Sequence, residues 1–263
     1  MMLSALLHVA LPLTLCALLT CCRVFDEVAV DLSYDHYAER RVDHFPGFLA
    51  MPCNCLVNLL YALTGLYWLL RHTDVREPEQ GRYLRQVFAF MSILYAPVQW
   101  ARLAVLRRAP AVLDQWVTLP IFAWVLVWIG FIERGPRGWH ARHAAALELL
   151  SVLSYGLALL HTRGFELALG GHVLMAVFKG LRVQITHGDE RTRRYLLLAV
   201  LSCCGFVVLK LLDLELAQYR LFQRLTGHFW SKVCDALQIH FSMCFLTELT
   251  ARTRSSKTGS QRD

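Results

Sequence analysis

The chain has 263 residues, of which 56% are apolar and only 18% charged, and it carries a formal net charge of +7. Soluble domains hold about a quarter charged residues, and here the apolar residues stand in blocks separated by short charged joints, which excludes an ordinary soluble enzyme. The arginine and lysine surplus lies at those joints, so it reads as an orientation signal for a membrane protein and not as a nucleic-acid surface.

A charge-free run of about 20 residues matches the hydrocarbon thickness of a bilayer at the helical rise. The first such run, Met2–Cys22, lacks the basic leader of a secretory signal, and Thr20–Cys21–Cys22 is a poor cleavage site. Residues 1–22 therefore read as an N-terminal transmembrane helix or signal anchor, with a removed signal sequence as the alternative. Residues 23–47 form an acidic loop holding Asp26, Glu27, Asp31, Asp35, Glu39 and Asp43 against three arginines.

Residues 48–249 hold the remaining spans: Phe48–Leu70, Tyr83–Leu103, Asp114–Ile132, Ala144–Leu160, Phe165–Ile185, Tyr195–Leu212 and Phe229–Leu249. The fold expected is all-α, a polytopic transmembrane bundle of seven core helices plus the N-terminal helix or signal sequence. Phe165–Ile185 carries Glu166, Lys179 and Arg182, and Phe229–Leu249 carries Lys232, Asp235 and His240, so both must turn those groups inward. The basic tail, residues 250–263, is expected to lack structure.

Grouping the joints Arg71–Arg85, Arg102–Arg108 and Lys179–Arg194 with the tail gives 16 basic residues on that side. The joints Arg23–Arg41, Arg134–Arg142, Arg163 and Lys210–Arg224 give 10 on the other. The more basic side is cytosolic by the positive-inside rule, which puts the tail in the cytosol and the acidic loop in a lumen or outside the cell.

Nine cysteines, Cys16, Cys21, Cys22, Cys53, Cys55, Cys203, Cys204, Cys234 and Cys244, fall in or beside apolar spans. A free thiol behaves there as a small hydrophobe, so they suggest neither a disulfide scaffold nor a zinc finger.

Polar residues within the spans are the candidates for a site in the bundle. Asn54 and Asn58, the only asparagines, share one helix face at i, i+4, where hydrogen bonding between helices is the plain explanation and a polar site the other. Asp114 opens its span, where a carboxylate suits the helix dipole or acts at the membrane boundary. The last span carries Ser231, Asp235, Gln238 and Ser242 as a single stripe, with Lys232 three residues before Asp235, His228 at its entrance and His240 deeper. His172, after Gly170–Gly171, is a further candidate. No Gly-rich phosphate loop, HExxH or GxSxG motif is present, so no catalytic residue and no metal ligand is assigned.

The strings HYAE (36–39), FLAMPCNCLVNLLYALTGLYWL (48–69), LYAPVQWARL (94–103), AVLDQWVTLPIFAW (111–124), SYGLALLH (154–161) and LTGHFWSKVCDALQIHF (225–241) resemble the transmembrane protein 187 family. That resemblance implies membrane residence and no particular activity. The layout after residue 22 is more distantly similar to the seven-helix superfamily of alkaline ceramidases, Per1-type lipid hydrolases and adiponectin receptors. That superfamily has an Asn-rich first helix, Ser and His ending the second, Asp opening the third and HxxxH in the seventh. Asn54, Asn58, Asp114 and His240 match parts of the pattern. The second-helix end reads YAPVQWARL without Ser or His, and Ala236 stands four residues before His240.

The expectation is a multi-pass membrane protein that binds lipids or protein partners, without catalysis, cofactor or nucleic acid. The alternative is a zinc-dependent lipid amidase or esterase built on Asp114, His228, Asp235 and His240. A small-molecule transporter ranks behind both.

Overall fold

Local chemistry marks the helix starts. Pro52 stands at a first helical position and Pro78 precedes another, both places where a missing N–H costs nothing. At Asp189 a reciprocal capping box closes, with Thr192 N–H donating to the carboxylate at 2.9 Å and Asp189 N–H donating to the Thr192 hydroxyl at 2.8 Å.

The structure is a computed structural model that describes residues 1–71 and 78–259. It contains helices α1 (Met2–Cys21), α2 (Pro52–Leu56), α3 (Leu59–Leu70), α4 (Glu79–Ala104), α5 (Arg108–Gly138) and α6 (Ala141–Ser154). They are followed by α7 (Leu157–Leu160), α8 (Gly164–His187), α9 (Glu190–Leu211), α10 (Asp213–Leu216) and α11 (Gly227–Gly259). Short 3₁₀ turns occupy Gly47–Leu49 and Arg220–Phe222, and no strand occurs among the described residues. Among those residues, seven helical segments are long and apolar enough to cross a membrane: α1, α2–α3, α4, α5, α6–α7, α8 and α9; α11, which holds the expected span Phe229–Leu249, is too polar to be counted with them. The chain is an all-α polytopic bundle.

The helices are not equivalent. In α4 and α5 the most apolar stretch is 61% buried inside the protein, whereas in α1, α8 and α9 it is 17% buried, so the first pair is interior and the other three are peripheral. Helix α11 packs along the length of α9 and also meets α3, α4 and α5. Outer faces display Leu160, Ile185 and Leu211, each more than 70% exposed. Such faces are stable against hydrocarbon and not against water.

Several boundaries differ from the sequence expectation. Helix α5 begins at Arg108, because Pro110 is tolerated in a first turn, so Asp114 lies six residues inside the helix and does not open it. The tail continues α11 as helix to Gly259, while 260–263 lie outside the described residues. The part of the Arg71–Arg85 joint from 72 to 77 also lies outside them. The helices alternate in direction, so Arg102–Arg108 faces the acidic loop and not the tail: Arg108 donates to Val28 O, and Tyr34 Oη donates to Leu103 O at 2.6 Å. The joint Arg134–Arg142 moves to the opposite end in exchange. Each joint contributes three arginines, so the totals of 16 and 10 stand.

Two glycines are demanded by geometry. Gly135 has φ 73°, in the left-handed region, just before Pro136, and α5 bends there. Gly65 lets α3 lie directly on α4, since a Cβ at that position would come 2.4 Å from Ala89 O and 2.6 Å from Ile93 Cγ1. Gly65→Ala is expected to destabilise the protein by about 1–3 kcal/mol through forced separation of the helices. A lowered melting temperature in detergent reports it; an unchanged melt refutes the close approach.

Candidate functional site

Four helices send polar side chains to one buried centre. Tyr61 comes from α3, Tyr95, Gln99 and Arg102 from α4, Asp114 and Thr118 from α5, and Lys232 and Asp235 from α11. Asp114 is the hub. Its Oδ1 accepts from Gln99 Nε2 and, at 3.4 Å, from Tyr95 Oη, while Oδ2 lies 3.6 Å from Arg102 Nε. The Tyr95 hydroxyl also lies 3.1 Å from Thr118 Oγ1, and Thr118 in turn donates to Asp114 O at 2.8 Å.

The other carboxylate, Asp235, accepts the Tyr61 phenol at 2.6 Å. Lys232 does not turn to Asp235 on its own helix; its ammonium donates across the bundle to Gln99 Oε1 and lies 5.8 Å from the Tyr61 ring centroid. The Tyr61 and Tyr95 rings meet edge to face at 5.0 Å, and Ser92 Oγ donates to Tyr61 O at 2.7 Å. Lys232 and Arg102 thus join the two carboxylates through a chain of neutral donors and acceptors, and Lys210 adds positive charge within electrostatic reach of both. Charges taken out of water persist only when so paired and bonded.

The acidic loop roofs this centre. Tyr37 is buried and its ring meets His228 edge to face at 4.5 Å. Asp213, 1% exposed, accepts from Ala38 N–H at 2.8 Å and from His228 N–H at 2.6 Å, tying the loop to the start of α11. Glu39 accepts from Cys53 N–H at 2.8 Å and Asn54 N–H at 2.7 Å, so a residue remote in sequence satisfies the free donors at the start of α2. Burial raises the Glu39 carboxyl above its ordinary range, against those two bonds, which lower it. Burial likewise pushes the His36 imidazole below its ordinary value, although Asp31 lies 2.6 Å away.

The candidate residues from the sequence divide. Asp114 and Asp235 belong to the centre, and His228 lies beneath the roof. Ser231, Gln238 and Ser242 are all buried; Ser231 Oγ donates back to His228 O at 2.9 Å, and Gln238 Oε1 has no hydrogen-bond partner among the described residues. Asn58 does not bond to another helix: its amide donates to Asn54 O at 3.0 Å, where the backbone tightens into a 3₁₀ turn between α2 and α3. The Asn54 side-chain amide is fully buried, and neither its nitrogen nor its oxygen has a hydrogen-bond partner among the described residues.

His172 bonds to Ala168 O of its own helix at 2.8 Å. His240 lies eight residues beyond Lys232, about 12 Å along the helix, with its ring 5.7 Å from those of Tyr67 and Trp68 and its Nε2 3.5 Å from Cys244 Sγ. The set Asp114, His228, Asp235 and His240 therefore does not converge. Among the described residues no group of three or more His, Cys, Asp or Glu side chains is placed to hold a metal ion, so these four residues do not fit a zinc site.

Tyr61, Tyr95, Gln99, Arg102 and Asp213 were not picked out from the sequence. A signal existed for most of them. Asn54, Asn58 and Tyr61 stand at i, i+4, i+7, and so do a second trio, Tyr95, Gln99 and Arg102, each set on one helix face.

A second feature adjoins the polar centre and shares Tyr95 with it. A cavity of about 490 Å³ runs between α1, α4, α5 and α6, lined almost wholly by apolar side chains such as Leu11, Val117, Pro120, Ile121 and Leu149.

The TMEM187 protein family model matches residues 5–247. The chain is 52% identical over 256 residues to transmembrane protein 187 of Homo sapiens, covering 97% of this chain and 96% of that one. It is also 52% identical over 252 residues to transmembrane protein 187 of Bos taurus, covering 94% and 96%. No solved structure matches the chain. With its helices long and apolar enough to cross a bilayer many times over, this multi-pass membrane protein belongs to the TMEM187 family.

Proposed function

We propose that the protein is a non-catalytic membrane protein that binds lipid, with its carboxyl terminus in the cytosol. The observation that carries the reading is the contrast between its two interior features. In the polar centre, Lys232 and Arg102 neutralise Asp114 and Asp235, and Gln99, Tyr95 and Tyr61 fill the remaining contacts, which is how a structural polar seam is held in a bilayer. The cavity beside α1 is apolar and of the size that takes a lipid-like ligand. The basic count of 16 against 10 supports the orientation.

The zinc hydrolase reading has no converging ligands to support it, and no reaction step is assigned. Metal analysis of the purified full-length protein separates the two. Zinc is expected well below one atom per chain, with no change on Asp114→Ala or His240→Ala. Stoichiometric zinc that disappears in either variant overturns the non-catalytic reading.

A further inference from the structure

The apolar cavity has one polar end. His8 of α1 bonds through Nε2 to Glu148 Oε2 of α6 at 2.7 Å and through Nδ1 to the Tyr83 hydroxyl of α4 at 2.7 Å. Both His8 and Glu148 line the cavity. The second carboxylate oxygen, Glu148 Oε1, is buried and has no hydrogen-bond partner among the described residues. A carboxylate oxygen is an acceptor only, and leaving it unmatched away from water is costly.

Its position along the helices is informative. His8 stands six residues into α1 and Glu148 seven residues into α6, which is about 9–11 Å from the tail-side ends of both. From there the cavity follows α1 to Cys16, about 12 Å further toward the acidic-loop side. A hydrocarbon core is about 30 Å thick, so the polar end lies within the tail-side leaflet and the apolar part leads through the midplane region. Pro12 of α1 and Pro120 of α5 both line the gap, and a proline inside a helix pushes its backbone away from straight packing. Leu11, Leu15 and Leu149 are each more than half exposed at its rim, so the gap opens sideways to lipid.

Resting on the lipid-binding reading above, we propose that this cleft is a site for a single-chain amphiphile of the tail-side leaflet. Its head carries hydrogen-bond donors, a hydroxyl or an ammonium, that satisfy Glu148 Oε1, and its alkyl chain lies along α1 toward Cys16. A head bearing carboxylate or phosphate meets the carboxylate of Glu148 and is disfavoured. Helix α1 supplies both His8 and one wall, so the site exists only while that helix stays docked on α4 and α5.

The test uses full-length protein in lipid nanodiscs and three photoactivatable probes with the same sixteen-carbon chain: a monoacylglycerol, an alkylammonium and a fatty acid. The monoacylglycerol and alkylammonium are expected to label the wild type at least tenfold more strongly than the fatty acid, at peptides from α1 and α6. Glu148→Ala removes that preference while labelling persists, and Val117→Trp, which fills the cleft, abolishes labelling by all three. Thermal melts of both variants confirm that they are folded. Equal labelling by the three probes overturns the head-group assignment and leaves lipid binding intact. Labelling by none of them, or labelling unaffected by Val117→Trp, overturns the cleft as a lipid site altogether.

Discussion

Lys232→Met is expected to cost about 3–5 kcal/mol, the penalty for breaking a buried ion-pair network from one side. The variant keeps the length of the side chain and removes its ammonium. Gln99 Oε1 loses its donor, and Asp114 and Asp235 lose one of the cations that offset them, in a medium that solvates the surplus charge poorly. The readout is the melting temperature and monodispersity of the detergent-solubilised protein. Adding Asp114→Asn to the same chain restores charge balance and is expected to recover part of the loss, a coupling that a double-mutant cycle measures directly. If Lys232→Met melts with the wild type, the centre is not an electrostatic unit.

Asp213→Ala is the second large effect expected, and it acts on the roof. The carboxylate accepts one N–H from Ala38 and one from His228, and removal leaves both donors unpaired where water is scarce. At about 1–3 kcal/mol for each unsatisfied group, the loss is roughly 2–6 kcal/mol. It should surface as loosening of the loop, because Tyr37 and Glu39 are seated on either side of Ala38. Trypsin cleavage after Arg40 and Arg41 in sealed vesicles of known orientation is expected to accelerate markedly. Asp213→Asn keeps an acceptor oxygen and should fall between the variant and the wild type. Cleavage rates identical in all three proteins contradict the roof as described.

The helical bundle was legible because apolar blocks of bilayer length leave few other structures open. The last expected span, Phe229–Leu249, is helical but not among the segments apolar enough to cross a membrane, and its inward polar stripe follows from period alone. Helix ends were less legible: the start of α5 at Arg108 depends on a proline tolerated in its first turn, and the length of α11 on contacts such as Trp128 Nε1 to Thr250 Oγ1 at 3.0 Å.

The centre was half legible. Aspartates within apolar runs draw attention, whereas tyrosine and glutamine in a run like YAPVQWARL pass for packing residues. Their i, i+4, i+7 spacing carries the signal, but only the partner helix shows what they face. Asp213 is beyond reach of such patterns, since its bond to Ala38 joins residues 175 positions apart. Nor does any local rule reveal that Glu39 caps a helix beginning thirteen residues later. The cleft is likewise a product of three-dimensional arrangement, since His8, Tyr83 and Glu148 are scattered along the chain.

The most polar long helix, α11, is made after the ten described helices that precede it in the chain. Ribosomes add about 5–20 residues per second, so Asp114 and Gln99 emerge many seconds before Lys232 and must wait in the translocation machinery with their partner still unwritten. Nascent chains stalled or truncated ahead of α11 would leave Gln99 Oε1 without the Lys232 ammonium and the Tyr61 phenol without Asp235, so the bonds that close this seam are written only when α11 is made.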